Sequence, residues 1–269
     1  MFTRSSLIVS WCALACIVIA CSSVAVTGRK QLNFIPDTEM NAMSFQQYDQ
    51  FLKTNRLSTN REQADMIKRV GNRISAAVHQ YMNDNKMGDR IKDFKWEFNL
   101  VESKDVNAWC MPGGKVVFYT GILPVCRNEA GVAVVMGHEV AHAIAEHGAE
   151  RMSQQMLTQL GVGALSAALR DKPQETQALW MGAVGMGAQV GVLLPFSRTH
   201  ETEADKLGLV FMAMAGYHPE SAAPFWQRMA QLSGGQAPPE LLSTHPSNET
   251  RIADITAYLP EALKYYKKQ

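Results

Sequence analysis

Two histidines four residues apart, with a glutamate directly after the first, stand at His138-Glu139-Val140-Ala141-His142. On a helix this spacing places both imidazoles on one face, one turn apart. Both can then reach a single tetrahedral Zn²⁺. Glu139 would lie within reach of a water on that metal and serve as general base while the water attacks a carbonyl. This is the pattern of a zinc hydrolase. The flanking Val134, Val135, Ala141, Ala143, Ile144 and Ala145 are too apolar for a surface loop, and Glu129 suits a helix start. Short matches of this kind occur by chance on ordinary helices. A buried helix carrying two histidines and a glutamate would, however, be costly without a metal or partners to satisfy them.

The third ligand decides the class of hydrolase. A metzincin needs a glycine where this chain has Ala145 and a histidine where it has Gly148. His147 lies nine residues after His138, on the far side of a continuous helix, and reads as an ordinary polar residue near the helix end. The next acidic cluster is Glu201-Thr202-Glu203-Ala204-Asp205. A helix there puts Glu201 and Asp205 on one face. Glu201 can complete the metal site while Asp205 takes the outer N–H of a ligating histidine and fixes its tautomer. Glu203 points elsewhere and reads as a solvated charge. Taken alone, the cluster is equally a charged helix start.

The elements that must position these residues are mostly helical. Residues 37–52 and 61–82 have helical character, the second with Met66, Val70, Ile74, Val78 and Tyr81 at core spacing. Residues 94–101 alternate as a half-buried strand. Asn107-Ala108-Trp109-Cys110-Met111 and Lys115-Val116-Val117-Phe118-Tyr119, joined by Pro112-Gly113-Gly114, read as a hairpin. In zinc peptidases an edge strand beside the metal holds substrate by strand addition. A purely structural hairpin fits the same spacing. Residues 157–194 are rich in small and apolar residues. A membrane span over 178–194 is one reading, short and broken by four glycines. A helical hairpin turning at Arg170-Asp171-Lys172-Pro173 is the preferred one. His218-Pro219 opens a further helix to about Leu232, and 250–258 and 260–267 close the chain with helical character.

The 269 residues are 46% hydrophobic and 19% charged with a net charge of +1, enough for one substantial core and without a basic field for nucleic acid. Residues 1–20 read as a secretory signal, with Arg4 ahead of an apolar run. The run ends in Val18-Ile19-Ala20-Cys21, which resembles a bacterial lipobox and makes Cys21 the candidate lipid anchor. Ser22 after it, in place of an aspartate, favours the outer membrane. Residues 22–32 read as a tether. Of five cysteines, Cys110 and Cys126 remain in the folded domain, either as a disulfide in an oxidising compartment or as buried free thiols.

Taken together, the motifs resemble the M48 family of metallopeptidases. The resemblance rests on His138-Glu139-x-x-His142, Glu201-x-x-Ala204-Asp205, His245-Pro246 followed by Arg251, and the upstream Asn107-Ala108 with Pro112-Gly113-Gly114. It covers residues 57–259. It implies one zinc per chain held by His138, His142 and Glu201, with Glu139 as base, Asp205 supporting a ligand, and His245 and Arg251 over the metal as oxyanion stabilisers or a gate. Some relatives have a histidine at this place that coordinates the zinc and holds the enzyme inactive. The resulting expectation is a mostly helical α+β, zincin-like domain at 57–269 with a small sheet beside the active-site helix. A signal occupies 1–20, and a lipid-anchored tether with an N-terminal helix occupies 21–56. The expected function is endopeptidase action on misfolded or misassembled envelope proteins at the periplasmic face of the outer membrane. The alternative is a latent protease acting as an assembly factor for outer-membrane proteins beside their assembly machinery.

Overall fold

The computed structural model describes residues 21–24, 27–170, 174, 197–232, 239–245 and 250–267. In chain order the elements are β1 (Cys21–Ser23), β2 (Lys30–Leu32), α1 (Asp37–Thr54), α2 (Arg61–Asp84), β3 (Glu97–Val101), β4 (Ala108–Met111) and β5 (Lys115–Tyr119). The helices α3 (Leu123–Cys126), α4 (Glu129–Ile144), α5 (His147–Leu169), α6 (Arg198–Met214), α7 (Ala222–Leu232), α8 (Glu240–Thr244) and α9 (Arg251–Ala262) follow. The chain divides into two compact units, 37–148 with 194–269, and 1–36 with 149–193.

The larger unit is a mostly helical α+β fold around α4. Asn128 caps α4 by accepting from the Gly131 N–H at 3.0 Å, and Glu129 favours its positive end. Every residue from Gly131 to Ile144 is buried, so this helix is the centre of the unit rather than one side of it. α2 lays Ile67, Val70, Ile74 and Val78 into the core, with Ile67 rather than Met66 beginning the buried stripe. Ser197 caps α6 through the His200 N–H. α6 crosses α4 where Gly208 meets Gly137, and a Cβ built on Gly137 would lie 2.7 Å from the Gly208 carbonyl oxygen. Only two glycines allow the backbones this close.

The sheet is three-stranded and mixed, in the order β3-β5-β4. β5 pairs parallel with β3 (Glu97 opposite Lys115) and antiparallel with β4 (Trp109 opposite Val117). The expected hairpin is therefore β4–β5, and β4 lies at an edge. Gly113 and Gly114 take φ of +80° and +85°, which L side chains rarely adopt. α1 covers one side of the sheet, its Tyr48 and Phe51 meeting Trp109 edge-on. Ser44 also donates to the Pro112 carbonyl at 2.6 Å. This N-terminal helix thus packs within the larger unit. Near the C-terminus a single helix, α9, runs through Pro260 where two helical pieces were expected.

In the smaller unit, the segment read as tether contains an antiparallel hairpin, with Ser23 opposite Lys30. Arg29 makes a bidentate pair with Glu150 on α5, at 2.9 and 2.7 Å. α5 ends at Leu169, with the Arg170 N–H turning back to the Ala167 carbonyl; the rest of the expected hairpin turn, 171–173, lies outside the described residues. No helix among the described residues is long and apolar enough to cross a membrane. Residues 178–194, the candidate span, and 1–20, the candidate signal, lie outside the described residues.

Candidate metal centre

The crossing of α4 and α6 brings the two chemical motifs face to face. His138 and His142 project from α4, and Glu201 and Asp205 project from the first two turns of α6. His245 arrives just after α8, which is fastened to the strand region by the Leu241 N–H on the Val106 carbonyl. The donor atoms converge. His138 Nε2 and His142 Nε2 are 3.1 Å apart, and His245 Nδ1 is 3.3 Å from His138 Nε2 and 3.0 Å from Glu201 Oε1. Glu201 Oε1 is 3.4 Å from His142 Nε2. All four residues are buried and their ligand atoms lie within 4.8 Å of one another.

These separations fit a zinc ion. Tetrahedral bonds of about 2.0–2.1 Å require donor–donor edges of about 3.3 Å. The donor set of imidazoles and one carboxylate suits that metal. The arrangement is also hard to explain without a cation, since lone-pair atoms are packed against each other in a dry interior. His138, His142, Glu201 and His245 form the zinc site.

Further residues hold the ligands from behind. His138 donates its Nδ1–H to Asp205 Oδ1 at 2.9 Å, the tautomer that leaves Nε2 for the metal. Arg251 clamps Asp205 through Nε at 2.9 Å and Nη2 at 2.8 Å, with Nη1 3.3 Å from Glu201 Oε2. Its guanidinium lies 3.4 Å over the Trp226 ring. Arg251 therefore braces two ligands from behind, where the resemblance had suggested a place over the metal. Glu139 is buried, and its Oε1 has no hydrogen-bond partner among the described residues, the nearest ring nitrogen being His245 Nε2 at 3.7 Å.

Burial and the carboxylates oppose each other across the site. Burial acts to lower the basicity of His138, but Asp205 and Glu201 outweigh it and raise its pKa to about 9 in the metal-free protein. Burial holds His142 well below the usual histidine value. Glu201 stays ionised despite its burial because three histidines face it, His245 through a hydrogen bond, and Asp205 because Arg251 and His138 face it. Burial pushes the Glu139 carboxyl up.

Two sequence-based expectations are corrected. His147 does not lie on the far side of a continuous helix. α4 stops at Ile144, Glu146 takes φ of +58°, and His147 begins α5 fully buried with its Nδ1 2.9 Å from His142 Nδ1. Glu203 is not solvated; it is buried and lies 3.1 Å from His147 Nε2. Of the two readings left open for Cys110 and Cys126, the free thiols hold, and the two have different neighbours. Cys110 on β4 faces Glu139, Cys126 faces Arg228, and burial raises the pKa of both. Trp226, Gly137 and Gly208 carried no motif. Their one signal was two glycines inside helices that otherwise favour larger residues.

The fold and site together define a zinc metallopeptidase whose third ligand is a glutamate on a later helix. The chain belongs to peptidase family M48, whose sequence profile matches residues 68–259. It is 40% identical over 174 residues to the mitochondrial metalloendopeptidase OMA1 of Schizosaccharomyces pombe, covering 64% of this chain and 49% of that protein. It is 31% identical over 246 residues to the mitochondrial metalloendopeptidase OMA1 of Bos taurus, covering 89% and 46%. It is 32% identical over 164 residues to the beta-barrel assembly-enhancing protease of Escherichia coli, covering 59% and 33%. The matches thus span about half the length of the mitochondrial relatives and a third of the bacterial one.

Proposed function

We propose that this chain is a zinc-dependent endopeptidase of the bacterial envelope that degrades unfolded or misassembled proteins. The observation that carries the reading is Glu139, a buried carboxyl whose Oε1 has no hydrogen-bond partner among the described residues, beside the zinc donors. When bound, zinc supplies Lewis acidity, polarising the scissile carbonyl and acidifying water. Glu139 takes the proton of the attacking water at a carboxylate oxygen and delivers it to the departing amine, and the raised pKa from burial favours that delivery. The edge strand β4 holds the peptide through backbone hydrogen bonds, with Asn107 and Ala108 at its start and Gly113 and Gly114 in its turn. Asp205 and Arg251 keep His138 and Glu201 in place. The signal-like 1–20 and Cys21 support lipid anchoring at the outer membrane, facing the periplasm. The name of the Escherichia coli relative supports outer-membrane assembly machinery as a partner.

His245 favours a second reading, a latent protease acting mainly as an assembly factor. Four protein donors would fill every position of a tetrahedral zinc, whereas catalysis needs an open one. His245 must withdraw for a substrate carbonyl to enter.

The test is full-length protein with unfolded casein, comparing wild type, Glu139→Gln and His245→Ala with bound zinc quantified. Cleavage by wild type and its loss in zinc-loaded Glu139→Gln support the endopeptidase. Cleavage by His245→Ala alone supports a protease held latent by that histidine. Zinc bound at one per chain with no cleavage by any variant removes the endopeptidase reading in favour of the assembly factor.

A further inference from the structure

The geometry points to His147 and Glu203 as a second positioning arm of the zinc site, one that fixes the tautomer of His142 as Asp205 fixes that of His138. His142 and His147 are five residues apart, about 140° around a continuous helix, where their side chains could not meet. The break after Ile144 changes this. Glu146, in the left-handed region at φ +58°, is held by Arg90, and the chain turns so that His147 comes back beneath His142. The two Nδ1 atoms are 2.9 Å apart, so one must donate and the other accept. His147 Nε2 lies 3.1 Å from Glu203 Oε2, and a carboxylate only accepts. For a neutral His147 ring this assigns the proton to Nε2 and leaves Nδ1 as acceptor. His142 therefore donates from Nδ1 and presents its Nε2 lone pair to the zinc. His200 stacks on the His147 ring at 4.4 Å, with planes 24° apart, and keeps its orientation. Each ligating histidine of α4 is then backed by a carboxylate on α6, His138 directly by Asp205 and His142 by Glu203 through His147.

The inference rests on the zinc site itself, and the experiment separates the two. Zinc affinity of the full-length protein is measured by chelator competition, and the visible spectrum of the cobalt-substituted protein reports ligand geometry. Absence of zinc binding by wild type would sink the site. His147→Phe keeps the ring volume and the stacking on His200 but offers no acceptor. His147→Asn offers Oδ1 near the place of Nδ1 but packs worse. The positioning arm predicts a loss of about 10–100-fold in zinc affinity and an altered cobalt spectrum for Phe, with most of the affinity restored in Asn. Wild-type affinity in the Phe variant, or a greater loss in Asn than in Phe, would show that the residue acts through packing and overturns the inference. Glu203→Leu is the second variant, decisive if His147→Phe fails to fold. It should weaken zinc binding and shift the cobalt spectrum, and an unchanged spectrum overturns the inference.

Discussion

A Cβ placed on Gly208 would stand 2.8 Å from the backbone nitrogen of His138. The first zinc ligand is thus set by how closely the α6 backbone approaches α4, and no side-chain rotation can relieve a methyl added there. Gly208→Ala should push the helices apart, destabilise the fold by about 1–3 kcal/mol and weaken zinc binding together. Thermal unfolding and zinc titration of the variant check this. A variant with unchanged stability and full zinc affinity would show that the crossing has slack.

Arg251 touches Asp205 twice and Glu201 once, and all three are buried. Replacing it with methionine leaves Asp205 facing His138 and takes the guanidinium away from Glu201 Oε2. Removing one member of such a buried network costs about 3–5 kcal/mol. Lysine should rescue little, because it cannot make the bidentate contact or lie flat on Trp226. Urea unfolding of the two variants and wild type, compared at one pH, measures the difference.

The parts of this site that repeat at helical spacing were legible in the sequence. His138 with His142, and Glu201 with Asp205, each lie on one face of one helix, so residue counting places them correctly. His147 and Glu203 escaped the same counting because it assumes an unbroken helix, and Glu146 breaks this one. The mixed order of the sheet was not legible either, since β3 pairs directly and in parallel with β5 although β4 comes between them in the sequence. Gly137 and Gly208 act through the absence of a side chain, and their meaning appears only when the two helices are placed together.

The metal-free site holds a proton that zinc must expel. His138 has its pKa raised to about 9, whereas His142 is held well below its usual value and Glu201 is ionised. Below pH 9 the His138 ring carries the extra proton, so binding at pH 7 to 8 should release about one proton per zinc from this residue. Because proton and metal compete, apparent affinity should rise about tenfold per pH unit toward 9 and flatten above it. Calorimetry in buffers of different ionisation enthalpy counts the protons. Affinity independent of pH in that window would contradict the proposed role of Asp205 in raising His138.

The turn of the edge strand offers a way to separate substrate holding from metal binding. Gly113 has φ of +80°, and a Cβ there would approach the Phe45 ring to 2.5 Å. Gly113→Ala strains the backbone by about 1–2 kcal/mol and drives α1 and the β4–β5 turn apart. The zinc donors come from α4, α6 and the residue after α8, none of which contains this turn. If β4 receives the peptide by strand addition, the variant should keep its zinc and raise KM for an unfolded substrate several-fold with a smaller change in kcat. A fall in kcat at unchanged KM would place the substrate elsewhere. In that case β4 supports the site as packing, and the unpaired edge of this strand takes no part in holding the peptide.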